Sequence, residues 1–109
     1  MDSGTLARIK VLVANGQFLI SDHGLDELAE DAIFGSEAVA GVADALVLED
    51  YPEAFKGPSI LVLQHDSDGR PLHVVWGIPK GRSSPAVLAT AYRPNPQHWT
   101  AAFTRRVPK

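Results

Sequence analysis

The chain has 109 residues, no cysteine, 45% hydrophobic and 21% charged residues, and a net charge of −3. A chain of that size holds one core and hides about two-thirds of its unfolded surface without help from disulfides or a metal. The missing cysteines exclude a disulfide scaffold, a thiolate zinc site and a cysteine nucleophile. The charge is split along the chain. Residues 1–54 carry eleven carboxylates against two cations, and residues 55–109 carry eight cations against two carboxylates. Such a split suits either a basic surface facing nucleic acid or two halves that fold together and partly neutralise; the overall acidity favours the second.

In chain order, Ser3 is placed to cap a helix whose Leu6, Ile9, Leu12 and Val13 recur at three-to-four spacing, with Gly16 as its left-handed stop. "QFLI" (17–20) reads as a short strand or an extended link. Ser21 or Asp22 opens a second helix, with Leu25, Leu28, Ala29 and Ile33 inward and Asp26, Glu27, Glu30 and Asp31 outward. After the break at Phe34-Gly35, Ser36 caps a third helix with a stripe of Val39, Val42 and Leu46. The period then changes to two. "LVLEDY" (46–51), "SILVLQH" (59–65), "PLHVVWGI" (71–78) and "AVLATAY" (86–92) read as strands, and "DSDG" (66–69) as a tight hairpin turn.

Helices followed by a three- to four-stranded antiparallel meander predict a single α+β domain over 1–109, the N-terminal helices packed on one sheet face. The core strands are apolar on both faces, so the second face needs cover from the C-terminal segment or from another subunit. "QHWTAAF" (97–103) suits a short C-terminal helix with Trp99 and Phe103 on one side. The N-terminus has no signal-peptide pattern, and the longest apolar run is too short to span a bilayer; the expected location is cytoplasmic.

His73 is the first candidate for chemistry, because it interrupts an apolar strand and shares its face with Val75 and Gly77. Tyr92 and Arg93 end the following strand, where a proton donor and an anion clamp could meet a phosphate. His23 lies four residues before Glu27, a spacing that sets imidazole beside carboxylate for general-base work. Lys80 and Arg82 in "PKGRSSP" (79–85) offer phosphate contacts, although the P-loop pattern is absent. Each has a plainer reading: a hydrogen-bonded strand histidine, a solvated acidic face, a solvated basic loop. No metal site is expected, since neither the zincin pattern nor a calcium loop is present, and no cofactor is expected.

The order "SDHGLDELAEDAI", "VLEDYP", "GRPLHVVWG", "AVLATAYRPNPQHW", from about Ser21 to Trp99, resembles a small bacterial family catalogued as domain of unknown function forty-two fifty-eight. The resemblance puts the family histidines on His23 and His73 and the Tyr-Arg-Pro end on Tyr92, Arg93 and Pro94. Two arginines of the family helix fall on Glu27 and Asp31, where anions would repel a polyanionic substrate. The family layout is similar to RelE-type and BrnT-type toxins, ribonucleases of toxin–antitoxin modules.

Three functions are therefore open. The first is a non-catalytic interaction or dimerisation module related to such toxins, with a homodimer or a small protein as partner and Arg93 paired to Glu49 or Asp50. The second is a metal-independent ribonuclease in which His73 or His23 is acid/base, Tyr92 a donor, and Arg93, Lys80 and Arg82 contact RNA. The third is a metal-dependent hydrolase using His23, His65 and His73. The acidity and the sparse catalytic inventory favour the module. No membrane partner and no DNA specificity are expected.

Overall fold

The computed structural model describes residues 3–100 and 102–106. Helix α1 (Gly4–Ala14) is capped by Ser3, whose hydroxyl accepts the Leu6 amide, and it ends before Gly16 at φ 74°. Strand β1 (Phe18–Ile20) leads to α2 (Asp22–Glu30), capped by Ser21, then α3 (Gly35–Ala40) and a 3-10 turn over 41–44. Four longer strands follow: β2 (Leu46–Tyr51), β3 (Ser59–His65), β4 (Pro71–Gly77) and β5 (Ala86–Tyr92). A two-residue ribbon closes the described chain, β6 (Trp99–Thr100) paired with β7 (Arg105–Arg106).

The main sheet has the order β1-β5-β4-β3-β2. Strands β2 to β5 form the expected antiparallel meander, and β1 adds a fifth strand, parallel to β5. Three residues gave the sequence no means of showing which open edge they would take. The helix-facing side holds Val47, Ile60, Val62, Leu72, Val74, Trp76 and Leu88, and one cluster joins them to Leu6, Ile9 and Leu12 of α1, Leu28 of α2, Ala38 and Val42. Fully burying each large aliphatic side chain contributes about 1.5–3 kcal/mol, and this cluster is the core of the domain. Gln64, 1% exposed, is a polar tie inside it: its amide donates to the Ala38 carbonyl at 2.7 Å and accepts the Trp76 indole N–H at 2.9 Å.

Helix α2 is rotated from the orientation its sequence suggests. A Cβ on Gly24 would stand 2.9 Å from the Leu88 carbonyl oxygen, so glycine there permits a close approach to β5. Glu27 accepts the Ala91 amide at 3.2 Å and Asp31 the Arg93 amide at 2.8 Å, taking over the edge of β5 where β1 has ended. With Gly24 and Leu28 inward, Leu25 is exposed and so is Ala29, against the inward placement expected of both. The third helix begins two residues earlier than a cap at Ser36 would place it: Phe34 is the cap residue, without a side-chain bond, and Ser36 lies inside the helix. Leu46, expected on its stripe, is an exposed residue of β2.

The expected C-terminal helix is also corrected. Ala102 and Phe103 have φ values of 58° and 71°, incompatible with a right-handed helix, and turn the chain so that β7 returns along β6. The ribbon buries Trp99 against the sheet, and that burial outweighs the modest helical preference of the segment. Among the described residues no helix is long and apolar enough to cross a membrane.

Candidate functional site

The second face of the sheet, turned away from the helices, has two unlike ends. At the end nearer the β3–β4 turn stands His73, paired with Leu63 on β3 and Tyr92 on β5, and fully buried. Its Nε2 lies 2.8 Å from the Phe103 carbonyl oxygen and its Nδ1 3.2 Å from the Tyr92 hydroxyl. A carbonyl only accepts, so Nε2 carries a hydrogen and donates it; in the neutral ring Nδ1 then accepts from the Tyr92 hydroxyl. The Trp99 ring meets the imidazole edge to face, centroids 4.2 Å apart at 88°, and Tyr92 packs at 5.4 Å and 68°. Contacts of this geometry contribute about 0.5–1.5 kcal/mol beyond area burial. Imidazole, phenol, indole and a ribbon carbonyl thus form one closed cluster, and both ring nitrogens are committed inside it.

The remaining sequence candidates lie elsewhere. Arg93 follows Tyr92 but points to a different set of groups. Its guanidinium donates to Asp66 at 2.7 Å and to the Pro71 carbonyl at 3.2 Å, so its ion pair is with Asp66 and not with Glu49 or Asp50. Asp66 shapes the DSDG turn, accepting the Arg70 and Asp68 amides at 2.9 Å each. The Arg70 amide first, then Arg93 and the Asp68 amide, hold its carboxyl below the ordinary 3.8 despite an opposing desolvation. Glu37 of α3 accepts the Ser67 amide and hydroxyl, fixing the outer side of the same turn.

His23 is 70% exposed on α2, with its Nε2 3.2 Å from Glu27. That carboxylate is itself engaged with β5, so the pair belongs to the docking of the helix. His65 ends β3, exposed, on the same face as His73 but two pairs nearer the turn. The three histidines do not gather, and among the described residues no group of three His, Cys, Asp or Glu could hold a metal ion.

Lys80 and Arg82 occupy the β4–β5 loop, at the opposite end of the sheet from the imidazole. The loop opens beyond Gly77, about 13 Å from His73 at roughly 3.3 Å per strand residue. A single pocket joining His73, Tyr92, Arg93, Lys80 and Arg82 is therefore not what the fold builds.

What the far end does build is an open apolar hollow of about 400 Å³, walled by Ala54, Pro58, Val75, Gly77, Val87 and Ala89. The β2–β3 loop forms its rim and is pinned to the end of β4: the Ile78 amide donates to the Pro58 carbonyl at 3.0 Å and the Lys80 amide to the Lys56 carbonyl at 2.9 Å. Gly57 makes this crossing possible. Its φ is +121°, and a Cβ there would fall 2.0 Å from the Ile78 carbonyl oxygen. Phe55 projects from the rim at 86% exposure, and the Lys80 ammonium lies 5.5 Å from its ring centroid. Cover of the second face by Trp99 of the C-terminal segment is as the sequence suggests, though as a ribbon and not a helix, while the hollow was not foreseen. The one available signal was the half-apolar second face of β4 and β5, and the hollow also needs loop 52–58, whose path no periodicity describes.

Fold and site together define a small α+β domain with a mixed five-stranded sheet, one face under helices and the other half covered. The match that places it is to the family described as Domain of unknown function (DUF4258), over residues 20–93, and the chain belongs to that family. The matched span runs from the end of β1 to the residue after β5, so it includes His73 and Tyr92 and leaves out α1 and the ribbon that covers them. No curated protein and no solved structure matches the chain.

Proposed function

We propose that this domain is a non-catalytic interaction module, working in the cytoplasm through the uncovered end of its second sheet face. The observation that carries the reading is the commitment of the polar inventory. Both His73 nitrogens bond within the fold, Arg93 holds the Asp66 turn, and Glu27 and Asp31 hold the edge of β5. A general base needs a nitrogen or oxygen within reach of a substrate proton, and the Trp99 ribbon stands over the imidazole. The rigid apolar hollow, by contrast, is a surface without internal purpose.

The second reading, a metal-independent ribonuclease akin to RelE-type or BrnT-type toxins, draws on the hydrogen-bonded His73–Tyr92 pair. Incubation of the purified protein with mixed-sequence single-stranded RNA separates the two. The module leaves the RNA intact, and Tyr92→Phe loses about 1 kcal/mol of stability, the worth of one partly buried hydrogen bond, with no other consequence. Cleavage by the wild type that a folded Tyr92→Phe or His73→Gln protein fails to perform would overturn the module reading.

A further inference from the structure

We infer that the hollow at the Gly77–Val87 end receives an acidic, apolar segment of a different protein. The inference rests on the interaction-module reading and adds the chemistry of the partner. The walls are aliphatic and half-exposed, so they offer area to one or two apolar side chains and almost no hydrogen bonds. At its rim stand two cations: Lys56 lines the hollow and Lys80 sits over Phe55. Carboxylates lie nearby as well, Glu53 in a neighbouring depression with Phe55, Lys80 and Gly81 and Glu49 of β2 bonded to the Tyr51 hydroxyl, but among the described residues Lys56 is the charged residue that lines the hollow itself.

An occupant with apolar anchors between Asp or Glu residues matches both the walls and the rim. A second copy docked across a two-fold axis at the hollow would bring its Lys56 and Lys80 near those of the first, a like-charge arrangement that opposes association. Single-stranded nucleic acid would find two cations, Lys56 and Lys80, with the exposed rings of Phe55 and Tyr51, but also the carboxylates of Glu49 and Glu53 and an aliphatic hollow that reads no base edge. The rim is preformed, because its two backbone bonds and Gly57 fix the loop. Little ordering cost therefore falls on the domain when the partner binds.

The test is a selection of random twelve-residue peptides displayed on phage against the full chain, followed by titration of the enriched peptides in solution. Enriched sequences are expected to combine aliphatic or aromatic residues with a net negative charge. Their affinity is expected to fall at least about tenfold on Val87→Glu and on Lys56→Glu, with both variants keeping the wild-type melting profile, and to weaken with salt. Neutral or basic enriched peptides, or affinity unchanged in both variants, would overturn the inference. So would tighter binding of an oligouridylate than of any peptide, or dimerisation in sedimentation that Val87→Glu abolishes. Dimerisation leaves the module reading standing with a different occupant, whereas RNA cleavage by the same preparation removes the module reading itself.

Discussion

The two ends of the second sheet face belong to the same pair of strands and have opposite fates. At one end Trp99 and the Phe103 carbonyl close over His73 and Tyr92, and every polar atom at the imidazole finds an internal partner. At the other, Val75, Val87 and Ala89 stay half-exposed under a pinned loop, with Phe55 and Lys80 beside them. The lesson is that a histidine on an apolar strand is not evidence for a site until its cover is known. A plain stretch of Val and Ala becomes informative once its cover is missing.

Removing the cover tests the comparison most severely. Trp99→Ala is expected to lower stability by about 3 kcal/mol, in the range for deleting a buried aromatic, and to expose the His73 ring to solvent exchange. Peptide binding at the distant hollow should be unchanged in this variant; chemical denaturation and imidazole NMR read the first effect and titration the second. Next in size, Gly57→Ala forces a Cβ into the Ile78 carbonyl at a φ that alanine rarely adopts. A cost of about 2–3 kcal/mol is expected, with the hollow reshaped and the His73–Tyr92 cluster intact, as seen in unfolding curves and in unchanged imidazole resonances.

The smallest effect concerns pH and sharpens the comparison at the closed end. The Asp66 carboxyl is held below its ordinary 3.8 by the Arg70 amide and by Arg93. A depressed folded pKa contributes stability that is present above 3.8 and is lost as pH falls through the folded value. Wild-type protein should therefore lose more stability than Asp66→Asn on acidification below about pH 4, the difference between them shrinking as the pH falls further. Parallel curves over that range would detach the turn from the ion pair.

The legible part of the fold was periodic. Ser3 and Ser21 cap helices as their chemistry dictates, the DSDG turn closes with Gly69 at φ 77°, and β2 to β5 run where alternation puts them. Contacts set by tertiary approach were not legible. Gly24 decides the rotation of α2, and that rotation turns Glu27 and Asp31, which look like a solvated acidic face, into partners of β5 amides. The ribbon at Trp99 depends on left-handed residues at Ala102 and Phe103, neither a glycine, so local sequence gives no hint of a turn there. His73 and Tyr92 meet because strand register brings them together; Lys80 and Arg82 share only their sign with Arg93, and charge carries no information about which end of a strand a loop occupies.

The parallel pairing of β1 with β5 has a consequence for how the molecule is assembled during synthesis. Ser21, just past β1, bonds to Ala89, 68 positions later, so the first strand made must wait for the fifth before it has a neighbour. Pairings between partners so remote in sequence slow folding in general, and the growing chain holds Phe18 and Leu19 without a strand partner until β5 is made. The sheet is begun at one margin by the ribosome and finished at that same margin last.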